Sequence, residues 1–136
     1  MIEQITVKTS GKGLVEITSD VERVISQSGI TSGICTLFLH HTSASLIIQE
    51  NADPSAKRDL EVWFDRLVKE NDPIFTHTLE GADDMPAHIK SALTGVSLSI
   101  PIQNGSLALG TWQGIYLWEH RRGRSTRKVS ICLAEC

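Results

Sequence analysis

Val96-Ser97-Leu98-Ser99-Ile100-Pro101-Ile102-Gln103-Asn104-Gly105-Ser106-Leu107-Ala108-Leu109 is the stretch that sets the architecture. Val96, Leu98, Ile100 and Ile102 alternate, the period of a half-buried strand. Asn104-Gly105 is the favoured two-residue hairpin turn, because both residues accept positive φ. Leu107 and Leu109 begin the return strand. One local stretch therefore predicts an antiparallel pair.

Working outward, Ile115 to Trp118 and Val129 to Leu133 predict two more strands, so the last third of the chain is β. Towards the N-terminus, Ile2 to Thr9 alternates, Gly11-Lys12-Gly13 turns it, and Leu14 to Ile17 returns. Gly33 to Leu39 and Leu46 to Ile48 are further strands. Three helices interrupt them. Ser19-Asp20-Val21-Glu22 has the form of a capping box, followed by a stripe of Val21, Val24 and Ile25 that Gly29 stops. Asp53-Pro54 opens the clearest helix, whose Leu60, Trp63, Phe64, Leu67 and Val68 follow the amphipathic spacing and predict core packing. Ala87 to Leu93 predicts a short third helix that begins near Pro86 and stops at Gly95. Helices and strands segregate along the chain, which predicts α+β: one domain over residues 1–136, a large, mainly antiparallel sheet or sandwich with a few helices.

Bulk composition narrows the function. A chain of 136 residues is too short for an eightfold β/α barrel, which needs roughly 200 residues or more. The net charge of −3 argues against nucleic acid as partner. Three scattered cysteines without a CxxC pair predict a reducing compartment. With no membrane-length apolar run and no signal peptide, the expected setting is the cytoplasm. No GxGxxG, P-loop or GxSxG sequence is present.

The chemistry concentrates in His77-Thr78-Leu79-Glu80-Gly81-Ala82-Asp83-Asp84-Met85-Pro86-Ala87-His88. Two imidazoles and three carboxylates within a dozen residues suit metal binding or proton transfer, or a solvated acidic loop. His40-His41 ends a strand, where neighbours face opposite ways, so one of the two is structural. Thr42, Ser43 and Ser45 offer hydroxyls for phosphate oxygens or for a tight turn. Glu50-Asn51 lies between a strand and a capped helix. In Gly110-Thr111-Trp112-Gln113-Gly114, two glycines bracket bulky and polar residues, which suggests a bulge or a ligand approach. Arg121-Arg122-Gly123-Arg124 is a basic run, either solvated or, beside an anionic substrate, a phosphate clamp.

Four of these motifs, in this order, resemble the YjbQ family, often described as secondary thiamine-phosphate synthase. They are His41-Thr42-Ser43-Ala44, Glu50-Asn51-Ala52-Asp53-Pro54, Glu80-Gly81 with Asp83 to Lys90, and Gly110 to Ile115. The resemblance implies an α+β fold assembled as a homotrimer, with a metal held by histidines near a subunit interface. Carried onto this chain, it makes His41 and His88 the first ligand candidates, with His77 and His120 to complete the set. Glu50, Asn51, Asp83 and Gln113 become catalytic or supporting groups, and Thr42, Ser43 and Arg121 substrate-binding ones. The implied reaction joins a pyrimidine-methyl diphosphate to a thiazole phosphate and releases diphosphate. Clustered imidazoles favour Zn²⁺, whereas diphosphate chemistry favours Mg²⁺. A metal-dependent hydrolase and a non-catalytic protein that binds a small anion are the alternatives.

Overall fold

A computed structural model covers Met1 to Cys136. The chain runs β1 (Ile2–Ser10), β2 (Gly13–Glu16), α1 (Thr18–Ser28), β3 (Ser32–Leu39), β4 (Ala44–Glu50), α2 (Pro54–Leu67), α3 (Asp84–Thr94), β5 (Ser97–Gln103), β6 (Ser106–Leu107), β7 (Gln113–Glu119) and β8 (Arg124–Glu135). Every strand pairing is antiparallel. Five strands form one sheet in the order β1-β8-β3-β5-β6, and three form another in the order β2-β7-β4. This is the α+β sandwich that the segregated pattern predicts. No helix is long and apolar enough to cross a membrane.

The Asn104-Gly105 hairpin forms with both residues at positive φ, pairing Ile102 with Leu107 and Gln103 with Ser106. The Gly11-Lys12-Gly13 turn behaves differently. Gly11 and Gly13 take φ of 136° and 148°, conformations that side chains resist. They send the chain out of the larger sheet, so β2 pairs with β7 and not with β1. The predicted return strand exists, but in the other layer.

The main core lies between the sheets. Leu37, Leu39, Val129 and Ile131 from the larger sheet meet Leu46, Ile115 and Leu117 from the smaller, with Val21, Val24 and Ile25 of α1 closing one side. A second cluster joins Phe64 and Val68 to Leu14, Tyr116 and Trp118 on the opposite face of the smaller sheet. Strand β7 is thus covered on both faces. That is why Gly114 to Glu119 is buried throughout, while β3 and β8 alternate.

Two helical expectations need correction. The capping box does not form: α1 starts at Thr18 with no side-chain cap. Glu22 instead accepts the Leu107 N–H across the fold (3.1 Å), and Thr18 Oγ1 accepts that of Ile115 (2.9 Å). On α2 the Asp53 cap is present, accepting the Ser55 N–H at 2.9 Å. Its apolar stripe is narrower than the pattern suggests. Phe64 and Val68 are buried and Leu60 half-buried, but Trp63 is 59% and Leu67 53% exposed. A three-stranded sheet under the helix covers only the i, i+4 row, leaving the flanking row to solvent.

Candidate metal centre

Helix α3 begins where the acidic loop ends. Asp84 is its first residue, and His88, one turn later, shares its face. His77 arrives from the preceding loop. Its Nε2 lies 2.7 Å from Asp84 Oδ2, and His88 Nε2 lies 3.1 Å from the same oxygen. The three ligand-type atoms all lie within 4.8 Å of one another.

The surroundings orient each group. His88 Nδ1 donates to the Thr42 carbonyl (2.8 Å), which turns Nε2 towards Asp84. Both nitrogens of that ring therefore face oxygen acceptors. This is the arrangement in which a ligating imidazole is fixed by a carbonyl behind it. Asp84 is 2% exposed, and its other oxygen accepts from Arg121 Nη1 at 2.5 Å. Burial pushes the Asp84 carboxyl up, but His77, the charge of His88 and Arg121 outweigh it, so it stays below the ordinary carboxylate range. Two imidazoles and a buried, ionised carboxylate are a donor set that suits a divalent transition metal.

Arg121 is placed otherwise than as a phosphate clamp. Its Nε donates to Asp83 Oδ2 (3.0 Å), its Nη1 to Asp84 and its Nη2 to the Glu80 carbonyl (2.8 Å). Asp83 also accepts the Arg122 N–H at 2.9 Å. The guanidinium spends its fork on the loop, closing residues 80–84 over the start of α3. One Nη1 hydrogen is left over from these contacts, so little of the fork remains for a substrate.

His41 and His120 also stand apart from the group. His41 Nε2 accepts the Lys128 backbone N–H at 2.8 Å and so has no lone pair left there for a cation. His120 is 2% exposed, bonded through Nε2 to Ser45 Oγ (2.8 Å) and packed against Phe64 and Trp118. Burial and the nearby Lys90 push its pKa down to about 3, so it is a neutral core histidine. His40 bonds Ser130 Oγ at 2.7 Å and meets Phe38 edge to face.

Ser43 Oγ accepts from Arg127 Nη2 at 3.0 Å, and Thr42 contributes its carbonyl to His88. Behind them lies a pair that the sequence reading missed: Glu119, fully buried, against Arg127. Glu119 also accepts from Thr9 Oγ1 (2.6 Å) and the Arg121 N–H (3.0 Å). The available signal was a carboxylate ending an apolar strand, which demands a cationic partner.

Glu50, Asn51 and Gln113 lie at the other end of the smaller sheet. Glu50 accepts the Asp53 N–H (3.2 Å), Asn51 Nδ2 donates to Glu16 (3.3 Å), and Gln113 accepts the Gly110 N–H (2.8 Å). Ala44 pairs with Glu119 at one end of β4, and Glu50 with Gln113 at the other. At ~3.4 Å per residue the two groups are about 20 Å apart, so one subunit does not unite them.

Comparison with known proteins gives a consistent result. The model of a family described as UPF0047 protein YjbQ-like matches residues 3–135. A UPF0047 protein of Synechocystis is 52% identical over 129 residues, 95% of this chain and 88% of its own length. UPF0047 protein YjbQ of Salmonella typhimurium is 44% identical over 95% of this chain and 94% of its own. Among solved structures, an uncharacterised conserved protein of that family from Clostridium acetobutylicum superposes with a TM-score of 0.89 at 38% identity, covering 97% of this chain and 99% of its own. A hypothetical protein of Aeropyrum pernix superposes at 0.90 with 28% identity, covering 100% and 99%.

Proposed function

The chain belongs to the UPF0047 protein YjbQ-like family, and on that premise we propose that it is a metal-dependent enzyme acting on a small phosphorylated substrate. His77, Asp84 and His88 would hold the divalent cation, Zn²⁺ in preference to Mg²⁺, because two of the three donors are imidazoles. The observation that carries this reading is the convergence of those three donors within 4.8 Å. When bound, such a cation polarises a phosphate oxygen and makes a bound water more acidic. The chain's own groups do the positioning. Thr42 fixes the His88 ring, Arg121 holds Asp84 by its outer oxygen, and the same arginine pins the loop that presents His77's neighbours.

Two reactions fit that centre. The family resemblance favours a thiamine-phosphate synthase-like transfer that releases diphosphate. Commitment of Arg121 to Asp83 and Asp84 favours hydrolysis, since most of that guanidinium is already engaged and little of it is left for a departing diphosphate. Assay of the Zn²⁺-loaded protein separates them. Diphosphate released only with both half-substrates present is transfer; phosphate or diphosphate released from one alone is hydrolysis. Zn²⁺ uptake without turnover leaves a non-catalytic anion-binding protein.

The family resemblance points to a homotrimer, and in such an assembly a neighbouring subunit would bring Glu50 and Gln113 towards the metal group. The exposed Trp63, Leu67 and Trp112 supply apolar surface for such contacts. A monomer mass by light scattering at micromolar concentration contradicts it. Three unpaired cysteines agree with a reducing, cytoplasmic setting.

A further inference from the structure

Beside the candidate metal centre, between the end of β3 and the C-terminal half of α3, lies a hollow of about 610 Å³. Phe38, Leu39, Ala92 and Val96 line it, together with His41 and His88. No lysine, arginine, aspartate or glutamate does. The volume suits a small molecule, and the lining suits an apolar one, because a charged body finds no counter-ion there. The aromatic wall is held in place: His40, bonded to Ser130 Oγ, meets the Phe38 ring edge to face at 5.0 Å.

His40, Thr42 and Ser91 also line it, but His40 is bonded to Ser130, the Thr42 carbonyl to His88 and the Ser91 hydroxyl to the Ala44 carbonyl, which leaves His41 as the ring with a free edge. Its Nε2 accepts the Lys128 N–H, and a nitrogen that accepts carries no hydrogen. The hydrogen therefore sits on Nδ1, and no protein group takes it. Burial and the nearby Arg127 hold the ring's pKa below the ordinary histidine value, so it stays neutral near pH 7. A neutral imidazole whose tautomer is fixed by the backbone is a ready donor to a substrate oxygen.

We propose that the hollow binds a small molecule with an apolar body ending in an oxyanion, whose oxygen receives the His41 Nδ1 hydrogen while the body lies against Phe38 and Val96. His41 is then a substrate-contacting donor and not a metal ligand. This extends the phosphorylated-substrate reading to the body of the substrate, and it rests on that reading only in taking an oxyanion as the polar end.

The test uses the full-length, metal-free protein with phenylphosphonate as probe and histidine ring nitrogens followed by NMR. Before addition, His41 should show hydrogen on Nδ1 and a bare Nε2. Phenylphosphonate should move the Nδ1 signal and bind at least ~10-fold tighter than inorganic phosphate, the apolar body supplying the difference. His41→Phe, which removes the donor, and Val96→Asp, which spoils the wall, should each weaken phenylphosphonate about 10-fold. A His41 ring that carries its hydrogen on Nε2 overturns the proposal without any variant. So do equal affinities for phosphate and phenylphosphonate, or variants that bind like wild type. If phenylphosphonate does not bind and Phe38→Ser lowers the oligomeric mass, the hollow is a subunit contact and the proposal fails. Zn²⁺ uptake, measured separately, keeps the two readings distinct. A protein that takes no Zn²⁺ yet binds the probe through His41 loses the metal centre and keeps the pocket.

Discussion

The two ends of β4 carry similar side chains in opposite circumstances. At the Ala44 end, Glu119 and Asp84 are almost wholly out of water, and each carboxylate is met by an arginine. At the Glu50 end, Glu50, Asn51 and Gln113 stay in contact with solvent and satisfy backbone N–H groups and side chains of nearby turns. A carboxylate in water has alternatives when its partner is removed. A buried one has none, and its desolvation is then uncompensated. The first end should therefore be sensitive to single substitutions and the second tolerant, although both belong to the motifs of the family.

The largest expected effect is at the Glu119–Arg127 pair. Arg127→Ala leaves a carboxylate with no exposure facing only Thr9 and the Arg121 N–H, and should cost about 3–5 kcal/mol in urea denaturation. A variant that unfolds like wild type would show that water reaches Glu119 and that this end is no drier than the other.

Next comes pH. His120 has a folded pKa of about 3 against an ordinary unfolded value near 6.5. As pH falls through 6.5 the unfolded chain takes up a proton that the folded chain refuses. Stability is full above that point and is lost by about 1.4 kcal/mol per pH unit on the way down towards pH 3. Denaturation at pH 7, 6 and 5 should show this loss, and His120→Gln, which keeps a partner for Ser45, should remove its share. An identical pH dependence in the two proteins refutes the buried neutral histidine.

Arg121→Ala should be intermediate. Asp84 keeps its histidine contacts, but the loop over residues 80–84 loses its clasp. Zn²⁺ affinity should fall about 10- to 100-fold, as when a ligand's supporting group is removed. Unchanged affinity would return Arg121 to the pool of free phosphate-binding groups. The smallest effect belongs to the other end: Gln113→Ala should change stability by under ~0.5 kcal/mol. A larger loss in the assembled protein would mean that this end is covered by another subunit.

The contrast also explains what could be read from the sequence. The Asn104-Gly105 hairpin and the Asp53-Pro54 helix start depend on neighbours within a few residues, and both are found as expected. His77, Asp84 and His88 fall within one dozen-residue stretch, yet the sequence reading sets His88 beside His41 and assigns Asp83 the role that Asp84 takes, because the start of α3 decides which carboxylate faces the two rings. The sheet chosen by β2 was not local, because Leu14 finds Trp118 across more than a hundred residues. Nor was the stripe of α2, since how much of a helix is covered depends on the width of the sheet beneath it. His41, His88 and His120 are equivalent as letters. The Lys128 N–H, the Thr42 carbonyl and the Ser45 hydroxyl make them different, and each of those partners is remote in the chain.

Zn²⁺ stoichiometry across the histidine variants tests the central claim most directly. Wild type, His88→Ala, His41→Ala and His120→Gln are stripped with chelator, reconstituted with Zn²⁺, desalted and measured by elemental analysis. The donor geometry predicts about one equivalent per chain in wild type, His41→Ala and His120→Gln, and a loss of most of it in His88→Ala with the fold intact. Full Zn²⁺ in His88→Ala, or none in wild type, would contradict the His77–Asp84–His88 centre.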